Sequence, residues 1–166
     1  MTNPAKPHLW QRLAKLRDIL RADGSAVGTM GVKLVEVVGD RDGARIEKGG
    51  SLPAVLLVPL RERIVGSTVP LPKMTIVLVI QVWSAYDRAN PQKSTELHFR
   101  LTAEVQRVIQ DSRVVDGFWY GINMGSDPAW EWDHSPDLFQ TGGGFLRKSE
   151  VEIQLSVPKI DVTATE

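Results

Sequence analysis

The sequence predicts an α+β domain in which a mixed, mainly antiparallel β-sheet carries two principal α-helices and a protruding β-hairpin. Three observations lead to that class. Met74–Trp83 (MTIVLVIQVW) is apolar at eight of its ten positions, and a strand without alternation has to be covered on both faces. Helices can cover one face; the other requires a second layer or a neighbouring subunit. Two segments repeat apolar residues at helical spacing, Leu9, Leu13, Leu16, Leu20 and Leu97, Leu101, Val105, Val108. The stretch 145–157 instead alternates: Phe145, Val151, Ile153, Leu155 and Val157 face one way, and Lys148, Glu150, Glu152 and Gln154 the other, so one side is core and the other wet or at an interface.

The elements follow in order. Pro7–Ala22 is the first helix, stopped by Asp23-Gly24. Met30–Val38 reads as a strand, followed by turns at 39–43 and 48–51, with at most a short strand or irregular link at Ala44–Glu47. Leu52–Leu60 begins a longer β element, and Pro59, which has no N–H to donate, places that part at a sheet edge or bulge. Arg61–Lys73 holds Arg61, Glu62 and Arg63, a Gly66-Ser67 turn, Pro70 and Pro72, and reads as the protruding arm.

Asn90 caps a second helix, Pro91–Asp111, whose stripe packs on Ile76–Trp83, leaving His98 as a half-exposed flank residue. Gly117–Met124 can be a strand, Gly125–Gln140 a loop with His134 starting a Ser-Pro turn, and Thr141–Gly144 a tight turn before the last strand.

Composition restricts the function. The 166 residues fit one domain, 1–166, with 1–6 and 158–166 as flexible tails. Lys plus Arg equals Asp plus Glu at 20 each, so no overall field draws the chain to nucleic acid or an acidic membrane. The absence of cysteine excludes disulfides, thiolate chemistry and Cys-based zinc sites. No signal-peptide core and no run of about 18 apolar residues occurs, so no membrane partner is expected. Charge is nevertheless segregated. Lys6, Arg12, Lys15, Arg17 and Arg21 face only Asp18 in residues 1–22, whereas 114–146 holds acids without a Lys or Arg. The segregation reads either as two solvated faces or as head-to-tail complementarity between copies.

Chemical signatures are missing. No G-x-S-x-G elbow or S-x-x-K set occurs, and Gly142-Gly143-Gly144 lacks the lysine of a phosphate loop. Asp133, His134 and Asp137 form the one acid–histidine cluster, the basis of an alternative reading as a small metal-dependent hydrolase. The expectation is no catalytic residue, no metal and no cofactor. Trp119, Trp130 and Trp132 lie among acids, so they read as core packing or as anchors of a protein contact. The candidate interface residues are Arg12, Arg17, Arg61, Glu62, Arg63, Trp119, Trp130, Trp132 and Asp133.

The basic first helix, LPAVLLVP, the arm, IVLVIQVW, a helix of about 20 residues and the closing GFLRKSEVEIQLSV together resemble the tail terminator or tail completion proteins of long-tailed bacteriophages, over roughly residues 8–157. That resemblance implies a structural virion protein, a homo-oligomeric and usually hexameric ring. Such a ring caps the tail tube and offers the surface for head–tail joining. The implied partners are the tail tube protein and head–tail connector or neck proteins, with DNA passing through the lumen without specific binding. The implied place is the head-proximal end of the virion tail, after assembly in the host cytoplasm. A neck or head–tail connector component is the alternative within the same class.

Overall fold

The computed structural model describes residues 7–22, 31–39, 52–65, 73–123, 131–141 and 144–158. In chain order these form α1 (Leu9–Ala22), β1 (Leu34–Val37), β2 (Ala54–Val65), β3 (Lys73–Tyr86), α2 (Pro91–Asp111), β4 (Gly121–Asn123), β5 (Trp132–His134), β6 (Phe139–Thr141) and β7 (Gly144–Pro158). The fold is α+β, with one mixed, mostly antiparallel sheet. The path runs β1-β2-β3-β7, and β4, β5 and β6 attach in turn to the outer edge of β7. Only β1 and β2 are parallel among the described pairs. None of the described helices is long and apolar enough to cross a membrane.

β3 lies at the centre, paired with β2 on one side and with β7 over its whole length, from Lys73↔Pro158 to Tyr86↔Phe145. Its side chains alternate between two cores. Ile76, Leu78, Ile80 and Val82 join Leu13, Leu16 and Leu20 of α1, Leu101, Val105, Val108 and Ile109 of α2, and the β7 residues Val151, Ile153, Leu155 and Val157. On the opposite face Val79 and Trp83 pack with Ala54, Leu56, Val58 and Leu146, together with Val38 and Leu52 from the segments beside β1 and β2. Ala54 and Leu56 are fully buried there, so one chain covers both faces of this strand without a neighbouring subunit. Gln81, also fully buried, is satisfied by Trp83 Nε1, which donates to its Oε1 at 3.1 Å, and by donating to Glu150 at 3.2 Å.

Pro59 sits where its chemistry requires. β1 pairs with β2 only as far as Leu57, and the β2–β3 register shifts between Pro59 and Arg61. The missing N–H therefore falls on an unpaired edge beside a bulge. The β2–β3 ladder continues to Val65↔Lys73 with β7 alongside as far as Lys73↔Pro158, so Arg61–Val65 belongs to the sheet and not to the expected arm. Its tip, the Asp23-Gly24 stop, most of the 39–43 turn, the 44–51 segment, Met124–Trp130, Gly142-Gly143 and the expected tails apart from Pro158 lie outside the described residues.

Several expectations are corrected. α2 spans Pro91–Asp111 as expected, but its buried stripe is His98, Leu101, Thr102, Val105, Val108 and Ile109, while Leu97 is 46% exposed. The i, i+3, i+4 series that best fits the sheet starts one residue later, 100° around the helix. Asn90 occupies the cap position without a side-chain cap bond; its amide donates to Asp87 instead. The 117–124 stretch is strand only at Gly121–Asn123, because Val115–Trp119 closes a tight turn in which Gly117 takes φ 80°. Within 125–140, β5 and the start of β6 replace loop: backbone pairing to the free edge of β7 outweighs the polar, Pro-bearing composition.

The two leucines of α2 offer a direct check. Leu101→Ala is expected to cost about 2–5 kcal/mol in urea denaturation, whereas Leu97→Ala should change stability by less than about 0.5 kcal/mol. Equal losses would contradict the helix orientation.

Candidate functional site

The densest polar arrangement lies inside the helix-covered face. Register places Ser149 opposite Val82 of β3 and His134 of β5, while Ser84 sits opposite Arg147. His98 descends from α2 between them. Its Nδ1 is 2.6 Å from Ser84 Oγ and its Nε2 is 2.7 Å from Ser149 Oγ, which also lies 2.6 Å from His134 Nδ1. If Ser84 donates to His98, His98 to Ser149 and Ser149 to His134, every contact is satisfied with neutral imidazoles; the reverse direction satisfies them equally. β3, α2, β7 and β5 are thereby tied through two hydroxyls and two rings.

Arg147 borders the network. Its guanidinium lies 5.3 Å from the Phe99 ring centroid and donates to Thr95 Oγ1 at 2.7 Å. Phe99 in turn meets His134 edge-on at 4.9 Å, and Trp132 stacks on His134 while donating from Nε1 to Gln106 at 2.9 Å. Burial first, then the Arg147 charge and His134, push His98 down to about 4. His134 is lowered by burial and Arg147, with Asp133 opposing.

A Ser–His contact invites comparison with a nucleophile and its base. Here Ser149 and His98 have no exposed surface and Ser84 is 7% exposed, so neither hydroxyl can meet a substrate. The arrangement fastens α2 and β5 onto β7. Asp133, His134 and Asp137 do not converge: β5 alternation turns His134 inward to Ser149 and leaves Asp133 on the other face, in register with Glu150. Among the described residues, no three His, Asp or Glu side chains are grouped to hold a metal ion.

The expected interface residues divide by burial. Arg12 is 4% exposed, donates from Nε to the Phe118 carbonyl at 2.9 Å and lies in the field of Glu62; burial lowers its pKa and Glu62 opposes. Trp119 is 2% exposed and donates to the Ser112 carbonyl at 2.8 Å. Arg12 is corrected from a surface to a core group and Trp119 takes the core-packing alternative, because the turn at Gly117 folds Phe118-Trp119 under α1. Trp132 is half-buried against α2, so much of its indole already serves the fold. Arg17, over Trp10 and bonded to Asp18, remains partly accessible, and Arg61, Glu62, Arg63 and Asp133 are exposed. Arg61 reaches Glu152 at 3.4 Å across the face away from the helices. Trp130 lies outside the described residues.

No family model matches the sequence, and no curated protein matches it. The fold is similar to that of a chain in a gene transfer agent virion. That solved structure, the virion of a native gene transfer agent (GTA) particle, contains a chain matching at TM-score 0.53 and 15% identity, with 88% of this chain and 93% of that one covered. At this identity the likeness is one of fold.

The histidine network sets a pH dependence. A histidine whose folded pKa lies below its unfolded value of about 6.5 contributes stability that is fully present above 6.5 and is lost as pH falls toward the folded value. Between pH 6.5 and 4, unfolding free energy is expected to fall by up to about 3 kcal/mol, and His98→Asn should flatten that slope. Ser149→Ala, which leaves two ring nitrogens without their shared partner, should cost about 1–3 kcal/mol at pH 7 by urea titration. A wild-type profile flat across this window would contradict the assignment to His98.

Proposed function

We propose that this chain is a structural virion protein, the subunit of a tail terminator or tail completion ring that caps a phage tail tube and offers a surface for head–tail joining. The observation that carries the reading is the fold shared with a virion chain over most of both chains. The described residues support it by what they devote to packing. Ser84, Ser149 and His98 are buried inside the domain, and the exposed groups are His134, charges and aromatics spread over strand edges and helix surfaces. Such a surface suits contacts with other protein chains.

A ring of six such subunits stacks on the tail tube protein and meets a neck or connector protein on its other side. DNA passes through the lumen without sequence-specific contacts, and the protein resides at the head-proximal end of the tail. One chain already buries both faces of β3, so ring contacts rest on surfaces outside the core. The β2–β3 connection between Val65 and Lys73 is assigned to contact another chain.

Native mass spectrometry of the protein alone and with tail tube protein tests this reading. The expected result is a closed ring, free or formed on the tube; strictly monomeric protein that fails to join tail particles would overturn it. Replacing the residues between Val65 and Lys73 with a tight turn should preserve the circular dichroism spectrum and melting temperature while abolishing assembly. Unfolding of that variant would make the arm part of the core instead.

A further inference from the structure

Folding places two accessible charged groups, the outer side of α1 and the β5 segment, on opposite sides of the sheet. α1 lies on the helix-covered face. Its outer side presents Trp10, 53% exposed, with the Arg17 guanidinium 5.8 Å from the ring, and Lys15, 5.3 Å from the Phe118 ring. Between Pro7, Gln11, Lys15, Asp18 and Phe118 runs an open groove of about 370 Å³, with Asp18 accepting from Arg17 Nε at 3.1 Å and leaving the net charge of this side positive through Lys15. On the far side of the sheet, Asp133 is held in register with Glu150, on the face turned away from the helices, and Glu131 shares its parity. Glu131, Asp133 and Asp137 are all exposed, and the sequence from Val114 to Leu146 contains no Lys or Arg to neutralise them. Lys148 on the adjacent strand is held over Trp83 and Phe139 and pairs with Glu150 at 4.0 Å, which leaves Glu131, Asp133 and Asp137 as the accessible acids.

The sheet separates the cationic, tryptophan-bearing side of α1 from this acidic edge, so the two cannot meet within one chain. Two different, complementary patches on one molecule are what a head-to-tail contact needs, whereas a two-fold contact needs one self-complementary patch. An exposed Trp beside an Arg is also the kind of group that carries contact energy. We propose that the outer side of α1, with Trp10, Lys15 and Arg17, docks onto the β5–β6 edge of a second copy, with Glu131, Asp133 and Asp137. The proposal rests on the ring reading and names the surfaces that would close it.

Charge reversal tests the pairing. Arg17→Glu and Asp133→Lys are made separately, and association is followed by sedimentation at low salt and on tail tube protein. Each variant alone should associate at least about tenfold more weakly than the unmodified chain. An equal mixture should recover, because alternating copies place Glu opposite Lys at one contact and Arg opposite Asp at the next. Unchanged association of both variants, or no recovery on mixing, overturns the docking surfaces while leaving the ring standing. An unmodified chain that stays monomeric alone and on the tube overturns both. Because the chain has no cysteine, Arg17→Cys and Asp133→Cys supply a second measurement should a reversed variant fail to fold. A short bis-maleimide should link the two only when they are mixed; links within either variant alone would mean a two-fold contact and overturn the proposal.

Discussion

The β3–β7 ladder is the constraint on which the other elements depend. Fourteen residues of β3 pair in unbroken register with β7, and both strands project core side chains from Met74↔Val157 to Ile80↔Val151. A ladder of that length leaves two broad faces and two edges to be dealt with. The helices cover one face, the β2 side chains and the flanking Val38 and Leu52 close much of the other, β2 occupies one edge, and three short strands share the outer edge of β7. β4, β5 and β6 have three residues each, too few to stand alone, and take their strand form from the edge they satisfy.

The polar network on the helix face runs from buried Ser84, His98 and Ser149 to His134 at the surface. Ser149 interrupts the apolar series of β7 opposite the last residue of β5, and His98 interrupts the apolar stripe of α2 at the same level. Each polar group would be costly alone in that position, but together they satisfy one another at 2.6–2.7 Å. Burial first and the Arg147 charge second disfavour protonation of both rings, and the Arg147 guanidinium lies 5.3 and 5.9 Å from the Phe99 and Tyr86 ring centroids. Specific docking of α2 and β5 is what this arrangement supplies.

Charge is redistributed in the same way. Of the basic residues along α1, Arg12 is drawn into the fold by the Phe118 carbonyl and Glu62, which leaves Lys15, Arg17 and Arg21 to set the character of that surface. Arg21 is itself tethered to the Val35 carbonyl at 2.6 Å. A count of charges along the segment therefore overstates what a partner would meet.

The sequence by itself determined the α+β class, the two helices, the apolar centre at Met74–Trp83, the edge position of Pro59 and the alternation of the last strand, because each follows from a short-range period or from the covalent limits of one residue. It did not reveal β5 and the start of β6, since three-residue strands have no period of their own and exist only where β7 offers an unpaired edge. His98 was within reach of the pattern: the spacing 98, 101, 102, 105, 108, 109 is a better helical stripe than one begun at Leu97, and Arg147 and Ser149 fall on the inward parity of β7. Hydropathy left His98 as a half-exposed flank residue because it scores a polar side chain without its partner. Whether Arg12, Trp119 or His134 faces water or protein was decided by contacts between residues 15 to more than 100 positions apart, and only the tertiary structure brings those together.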